Sequence, residues 1–520
     1  MKKTVIAALV LALGILSPLL ASAQEPNPQQ QNEQRKKVRQ AQTPRPDSPN
    51  AKSRQGSSKN DLESTLFNFN LFEEQPESVN QMYRVAWDVL SSKQDATIAE
   101  LAQNTDFQTK CQASGMSVLG GPLLGCISSE GAKVWVRTLK PAAVEVQLTV
   151  DNETKSFGPV NSTVESDLTA IVPITGLQPE TRYPYRVLVD GKQISIPKDA
   201  AITTAPVDDS KGTVRITFGS CLHRWGFGNQ AQSEMIRSRK PAAMLLLGDI
   251  AVQDRENHLG LHRADYLLRD QYPPWQALSA SVPIYATWDD HDYFNNDRAG
   301  IPPGFTAKDK QGVCDVFKQS WNNPSYGFDD ERRGVFLRTR IGPCDVIMVD
   351  NRYFRENKPG SFLGEQQMQW LEEQLLDCQG PFIILSCGSM WADYVSAGKD
   401  SWGKWDPKGR ERIFKLIEDN HIGGVILVSG DRHGARGFTI PRPSGYEFFE
   451  FEAASLGGRL GPPAQNKGWK TQLYGISDQY AFGELSIDAS LADPEVTYRL
   501  IGDDGTRIYE KTLKRSQLTP

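Results

Sequence analysis

The sequence predicts an α/β domain of layered sheets that is preceded by a small all-β sandwich domain. From residue 214 onward, runs that are mostly apolar alternate with helix-like segments; two of these runs are AAMLLL at 242–247 and GGVILVS at 423–429. Continuous hydrophobicity is typical of strands that are covered on both faces. Between residues 117 and 205, apolar and polar side chains alternate instead, as in VEVQLTV at 144–150. This second pattern is typical of short strands in a sandwich.

The first 23 residues have the layout of a cleavable export signal. Lys2 and Lys3 precede an apolar stretch that ends at Ala21-Ser22-Ala23, and this order of charged, apolar and small residues is typical of signal peptides. The stretch contains Gly14 and Pro18 and lacks stop-transfer charges, so we do not expect a transmembrane span. Because paired arginines and a lipid-anchoring cysteine are absent, we expect Sec-type export to the periplasm or the extracellular space.

Two further segments precede the sandwich. Residues 24–60 are rich in Gln, Pro and Ser and carry more Lys and Arg than Asp and Glu, a composition that predicts a disordered basic linker. The alternative is that this tail makes weak contact with a polyanion or with the cell envelope. Residues 61–110 have apolar side chains at three- and four-residue steps, which predicts helices.

Residues 117–205 form the predicted sandwich, and residues 213–512 form the predicted α/β domain. The run GLQPETRYPYRVLVDG at 176–191 resembles the corner of fibronectin type III-like domains, in which the hydroxyl of a tyrosine such as Tyr183 locks the turn. That role is structural, so the activity is expected in the α/β domain. The formal net charge of the chain is −5, which gives no electrostatic basis for binding nucleic acid.

Polar clusters directly follow the apolar runs of the α/β domain. The main ones are GDI at 248–250, DDHD at 289–292 and GDRH at 430–433. Because ligands of open α/β sheets bind beyond the carboxyl ends of strands, we expect the clusters to meet at one edge. Carboxylates and imidazoles are the donors that a two-metal phosphoester hydrolase needs. The candidate metal ligands are Asp249, Asp290, Asp431 and His433, with Asp289 and Asn295 as further candidates. His291 lies between two acids in sequence and is the candidate general acid.

The clusters stand in an order that characterises a known family. The matching blocks are FGSC at 218–221, LLLGD at 245–249, ATWDDHDY at 286–293, VDNRYFR at 349–355 and SGDRHGARGF at 429–438. With these blocks, residues from about 117 to 510 resemble the PhoD-like alkaline phosphatases, calcineurin-like metallophosphoesterases that carry a fibronectin-like domain before the catalytic one. The resemblance implies a four-layer metallophosphatase sandwich whose substrate is a small phosphomonoester or phosphodiester.

The resemblance also implies individual residue roles, with iron and calcium as the metals. Asp249 corresponds to the shared metal ligand, and Cys221 corresponds to a thiolate ligand of the redox-capable metal. His291 and Asp292 correspond to the general acid and its orienting partner. A ligand role would keep Cys221 out of disulfides, which export permits for the other cysteines, with several pairings open.

One position departs from the family pattern. Val252 stands where family members have an iron-binding tyrosine. Three alternatives stay open: water, Asp254 or His223 takes the place of the missing ligand, the site prefers another metal, or activity is lost. Arg352 and Arg224 are candidates for binding phosphate oxygens; alternatively, each pairs with a carboxylate of the site. Two functions stay open: an exported phosphoester hydrolase in which metal-activated hydroxide attacks phosphorus, and a catalytically silent surface-binding protein.

Overall fold

The computed structural model describes residues 56–57, 59–207, 212–330, 332–393, 401–461 and 464–520. The predicted signal peptide and most of the predicted linker lie outside these residues. All described residues belong to one compact unit. Within them, every helix is too short or too polar to cross a lipid bilayer. All seven cysteines are among the described residues, and each has a free thiol.

Four helices begin the described part of the chain: α1 (Leu62–Phe69), α2 (Glu77–Ser91), α3 (Ile98–Gln103) and α4 (Thr105–Ala113). One side of α2 is fully buried, and its Tyr83 hydroxyl donates a hydrogen bond to the Ala264 carbonyl at 3.3 Å. The end of the predicted linker takes part in this packing. The Asn60 side chain donates to the Asp254 carbonyl at 2.9 Å, and Gly56 lies against the indole of Trp225. The described residues between 56 and 60 therefore pack with the helices instead of forming a free linker.

An all-β region follows the helices. Its strands are β1 (Gly120–Gly125), β2 (Ala132–Arg137), β3 (Ala142–Val150), β4 (Glu153–Ser162), β5 (Thr169–Ile174), β6 (Arg182–Val189), β7 (Lys192–Gln193) and β8 (Ala201–Thr203). They form a sheet in the order β1-β2-β5 and a second in the order β4-β3-β6-β7, with β8 paired to β6. Burial alternates along β3, as the sequence pattern predicts. The Tyr183 hydroxyl accepts a hydrogen bond from the Gln178 N–H at 3.0 Å, which is the contact expected at the predicted corner.

The α/β domain contains two large sheets. Its strands are β9 (Thr213–Gly219), β10 (Ala243–Leu247), β11 (Ile284–Thr287), β12 (Leu337–Ile341), β13 (Cys344–Met348), β14 (Phe382–Cys387), β15 (Val425–Ser429), β16 (Arg436–Pro441), β17 (Glu447–Glu452), β18 (Gln472–Gly475), β19 (Ala481–Asp488), β20 (Glu495–Gly502) and β21 (Arg507–Lys514). The six-stranded sheet has the order β11-β10-β9-β19-β20-β21, and the seven-stranded sheet has the order β12-β13-β14-β15-β17-β16-β18. β21 runs past the predicted end of the domain at residue 512.

Helices lie between these strands in sequence. They are α5 (His223–Gly226), α6 (Gln230–Ser238), α7 (Leu259–Arg269), α8 (Pro273–Ser279), α9 (Asp290–Tyr293), α10 (Ala307–Ser320), α11 (Gly364–Asp377), α12 (Trp402–Trp405) and α13 (Pro407–Asp419), and a 3-10 turn spans Arg515–Leu518.

Alternate residues of the central strands belong to different cores. On β10, Leu245 lies in the core shared by the two sheets, and Met244 packs with the helices on the outer side. On β14, Ile384 lies in the shared core, and Leu385 packs with helices on the opposite outer side. Because the sheets meet face to face and helices cover both outer faces, the domain has four layers. The predicted α/β fold with a preceding all-β region is therefore confirmed.

Parallel pairing brings the ends of the central strands together. β9, β10 and β11 are parallel neighbours in one sheet, and β13, β14 and β15 are parallel neighbours in the other. A parallel bridge between Ser220 and Ser455 joins the segments that follow β9 and β17. The polar clusters of the sequence therefore leave the sheets at their carboxyl ends, where ligands of such sheets bind.

Candidate active site

Seven of the predicted site residues, including the predicted general acid His291, meet in three overlapping groups that could hold a metal ion, and in each group the candidate ligand atoms lie within 4.8 Å of one another. The groups are Cys221, Asp249 and His433; Asp249, Asp290 and His291; and Asp289, Asp290 and Asp431. Asp249 belongs to two groups, and so does Asp290. Shared carboxylates of this kind can bridge neighbouring metal ions.

The backbone at the site adopts conformations that non-glycine residues rarely adopt. Asp249 has a φ of 54°, Cys221 of 58° and His433 of 60°. Positive φ at such residues costs free energy, and these conformations cluster at functional sites. Gly248, with a φ of 98°, lies so close to Asp289 that an added Cβ would be 2.6 Å from the Asp289 nitrogen. A glycine is therefore required where the second and third groups approach each other.

Several atoms that could bind a metal are buried without a hydrogen-bond partner in the described part of the chain. They include Asp249 Oδ1, Asp289 Oδ2 and His433 Nδ1. Burial raises the pKa of Asp249 well above its ordinary value and raises that of Asp289 to about 7. Burial also lowers the pKa of His433 to about 3, so this imidazole is neutral and can act as a ligand. A bound cation would be coordinated by these unpaired atoms and would offset the repulsion between the carboxylates.

His291 has a carboxylate partner, but not the one that the sequence predicts. Its Nδ1 lies 2.6 Å from Asp254 Oδ1. Burial would lower the pKa of His291, but the charges of Asp249, Asp290 and Asp254 raise it well above the usual value. In the absence of metal, these charges favour the protonated form of His291, which is itself a member of the second ligand group.

The structure differs from the prediction at Asp292. Its carboxylate accepts hydrogen bonds from the backbone N–H groups of Ile250 at 2.9 Å and Ala251 at 3.1 Å. It also closes a capping box with Asp289 at the start of α9. Because these backbone donors occupy both oxygens, Asp292 orients the loop after Asp249 and leaves the imidazole to Asp254.

The arginines that the sequence proposes for phosphate binding have carboxylate neighbours. The Nε of Arg352 forms an ion pair with Asp289. Arg224 donates to the Thr65 hydroxyl at 2.8 Å and to the Lys59 carbonyl at 3.0 Å, and it lies 4.0 Å from Asp265. Arg224 therefore ties α1 to the domain. A role of either residue in substrate binding stays a prediction.

Two other sequence positions lie outside the ligand groups. The half-buried Asn295 uses its side-chain oxygen to accept a hydrogen bond from the Asn296 N–H at 2.7 Å. Val252 is fully buried and packs in the core beside the helices. Neither residue contributes an atom to the three groups.

Sequence reasoning overlooked Asn351. Its Nδ2 donates to Asp289 Oδ1 at 3.0 Å and to Ser389 Oγ at 2.8 Å, and its oxygen is buried without a partner in the described residues. The DNR cluster at 350–352 after β13 was the available signal, because an amide at a strand end is a common ligand type. His223 stacks on His433 with ring centroids 5.3 Å apart, and both of its ring nitrogens are buried without a partner in the same residues.

Known proteins share this fold and these motifs. A solved structure described as PhoD superposes with a TM-score of 0.62 at 16% identity, over 77% of this chain and 91% of the other. The purple acid phosphatase PPD1 from yellow lupin superposes with a TM-score of 0.56 at 14% identity, over 76% and 74%. Alkaline phosphatase D of Bacillus subtilis (strain 168) is 25% identical in an alignment of 222 residues, and the match covers 36% of this chain and 36% of that protein. The match thus spans about a third of that relative.

Two family models match the chain. Residues 116–207 match a domain of unknown function, DUF7800. Residues 217–490 match the PhoD-like phosphatase model, which covers more than half of the 520 residues. The chain therefore belongs to the PhoD-like phosphatase family.

Proposed function

We propose that this protein is an exported, metal-dependent phosphoester hydrolase that acts on phosphomonoesters or phosphodiesters. Membership of the PhoD-like family supports a phosphoesterase. The observation that carries the proposal is the set of three overlapping ligand groups, one of which contains His291, together with the contact between His291 and Asp254. Export rests on the signal layout of residues 1–23.

The donor types suggest which ions the groups would hold. The group of Cys221, Asp249 and His433 combines thiolate, carboxylate and imidazole donors, which suit a transition metal such as iron. The group of Asp289, Asp290 and Asp431 offers only carboxylate oxygens, which suit calcium. Ions bound in these groups would supply a nucleophile by lowering the pKa of water, and they would neutralise charge on the phosphoryl group.

The residues of the chain divide the remaining tasks. Water loses one proton to solvent and its oxygen attacks phosphorus, the bond between phosphorus and the leaving oxygen breaks, and His291 gives that oxygen a proton. Asp254 accepts a hydrogen bond from His291 Nδ1 at 2.6 Å, which leaves Nε2 as the atom that donates. The deep burial of Asp249 and Asp290 keeps bulk water from screening these charges.

The test uses p-nitrophenyl phosphate and its bis-ester with the mature chain. We expect turnover of at least one ester that is lost after chelation and restored by iron, calcium or both. We expect His291→Asn to lower kcat by about 10²–10⁴, the usual contribution of a general acid. The control is His421→Gln, at an exposed histidine that contacts the Pro520 carbonyl, and its activity should equal that of the wild type. If neither ester is turned over with any metal, the hydrolase proposal fails and the silent binding protein remains.

A further inference from the structure

One loop contacts both Cys221 and His433 of the candidate active site. We call residues 455–461 the Arg459 loop. Its Ser455 N–H donates to the His433 carbonyl at 2.9 Å, and its Ser455 hydroxyl donates to the Cys221 carbonyl at 2.8 Å. The Gly458 N–H donates to the same Cys221 carbonyl at 3.1 Å. The loop is therefore fixed to two residues of one ligand group.

Glycines let this loop lie directly on the neighbouring backbone. An added Cβ at Gly457 would be 2.8 Å from the Gly226 Cα, and one at Gly461 would be 2.7 Å from the His433 carbonyl carbon. A Cβ at Gly458 would overlap the His223 ring. Any larger residue at these positions would push the loop away from the ligand groups. The glycines therefore allow the Arg459 loop to lie close to the ligand groups. Arg459 lies between Gly458 and Gly461 in this loop.

Arg459 is exposed, and among the described residues no carboxylate forms an ion pair with it. In contrast, Arg352 forms an ion pair with Asp289, and Arg432 forms one with Asp431 at 3.0 Å. An arginine that lies beside a carboxylate-rich site and forms no ion pair with a carboxylate is available to bind an anion from solvent.

The charge of Arg459 reaches the site. After burial, it is the largest cause of the lowered pKa of His433, and it also lowers the pKa of His223. Both imidazoles lie in the stack of rings next to Cys221, and His223 is also 5.5 Å from His291 between ring centroids. The geometry agrees with this, because Arg459 directly follows Gly458, which lies against the His223 ring, and that ring is next to both His433 and His291.

We propose that Arg459 binds the phosphoryl oxygens of the substrate at the mouth of the site and favours phosphomonoester dianions over phosphodiester monoanions. This inference rests on the proposed function. A monoester presents two negative charges and three terminal oxygens, whereas a diester presents one charge and two such oxygens. A guanidinium that binds terminal oxygens in bidentate fashion therefore contributes more to binding of the monoester.

The test compares Arg459→Ala, Arg459→Lys and the control Arg186→Ala in metal-loaded protein. Arg186 is an exposed arginine on β6 in the all-β region. For Arg459→Ala we expect KM for p-nitrophenyl phosphate and Kd for inorganic phosphate, measured by calorimetry, to rise at least about tenfold, since the loss of even one of the two charge-assisted hydrogen bonds has this effect. The KM for the bis-ester should rise less, so the preference for the monoester falls. Arg459→Lys should recover part of the loss, and metal content should stay at the wild-type value in all three variants.

Each outcome decides the inference separately from the hydrolase proposal. If the wild type turns over an ester and Arg459→Ala binds phosphate as the wild type does, Arg459 has no role in binding and the inference is wrong, although the hydrolase proposal stands. An equal loss for both esters contradicts the selectivity for monoesters. If the wild type turns over neither ester but binds phosphate in a way that depends on Arg459, the hydrolase proposal fails and phosphate binding by Arg459 stands. If the wild type does not bind phosphate, the inference fails.

Discussion

Asp254→Asn isolates the contribution of the partner of His291. The substitution keeps the size of the side chain and removes its charge, so the contact of 2.6 Å to His291 Nδ1 loses its charge-assisted character. Asp254 lies outside the three ligand groups, so we expect the content of bound metal to stay unchanged. Catalysis should therefore change without a change in the metals.

The size of the effect follows from the burial of the two side chains. A hydrogen bond to a charged group contributes about 1.5–3 kcal/mol, which corresponds to a factor of about 10 to 150 in rate. The Asp254 side chain is 15% exposed, and that of His291 is 10% exposed. Because water can partly replace the lost partner, we expect the lower part of this range, a fall in kcat of about 10- to 50-fold.

The assay uses two substrates that differ in their leaving group. General acid catalysis matters more for phenyl phosphate than for p-nitrophenyl phosphate, because the phenoxide is the more basic leaving group. The fall in kcat should therefore be larger for phenyl phosphate. The control is Asp315→Asn at an ion pair of 3.1 Å with Arg333, and it should leave both rates unchanged. An equal fall for both substrates, or a loss of metal, would refute the role that we give to Asp254.

Three further predictions concern the metals and stability. Asp249→Asn should lower metal content and reduce activity more than about a hundredfold, which exceeds the usual effect of residues that only orient ligands. Without metal, the Tm of this variant should be no lower than that of the wild type, because the variant buries one carboxyl group fewer. Wild-type metal stoichiometry in Asp249→Asn would contradict this. When the free ion concentration is a hundred times the Kd, removal of the ions by a chelator should lower the free energy of unfolding by about 2.7 kcal/mol. If calorimetry finds the same Tm with and without chelator, a stabilising cation is excluded. Burial lowers the pKa of His262 to about 4. Since the unfolded chain takes up this proton below about pH 6.5 and the folded chain only below about pH 4, the free energy of unfolding should fall by about 2 kcal/mol between pH 7 and pH 5. His262→Gln should show a smaller fall in Tm over that interval, and an identical fall would contradict the assignment.

The order of elements could be predicted from local patterns, but the pairing of distant strands could not. The runs before Gly248 and Gly430 are mostly apolar and are buried central strands in the structure. β19 lies beside β9, with Leu485 opposite Ile216, although these residues are far apart in sequence. Alternation and hydrophobicity tell which faces of a strand are buried, but they do not identify its neighbour. The completion of the six-stranded sheet by β19, β20 and β21 was therefore outside the reach of sequence reasoning.

The same limit applies to the site. Asp249, Asp290 and His433 could be chosen because each follows a predicted strand, and strand ends meet at a sheet edge. Adjacency in sequence was misleading for Asp292, because it is the third residue of α9 after the cap, and its carboxylate turns back to backbone N–H groups. Asp254 lies on a different loop, and its contact with His291 depends on how two strands are placed side by side.

The contact of Asn60 with the Asp254 carbonyl bears on how this protein can be divided. Arg255 donates to the Asn60 carbonyl at 3.3 Å and stacks over Trp87 of α2, with its guanidinium carbon 4.9 Å from the ring centre. Asn60 and Trp87 thus contact the loop that carries Asp254, the partner of the proposed general acid. A fragment cloned from Thr213 would have the whole family motif set and would lack this support. We therefore expect the smallest active fragment to include the helices, and we expect a fragment cut only at the motif boundaries to be less active.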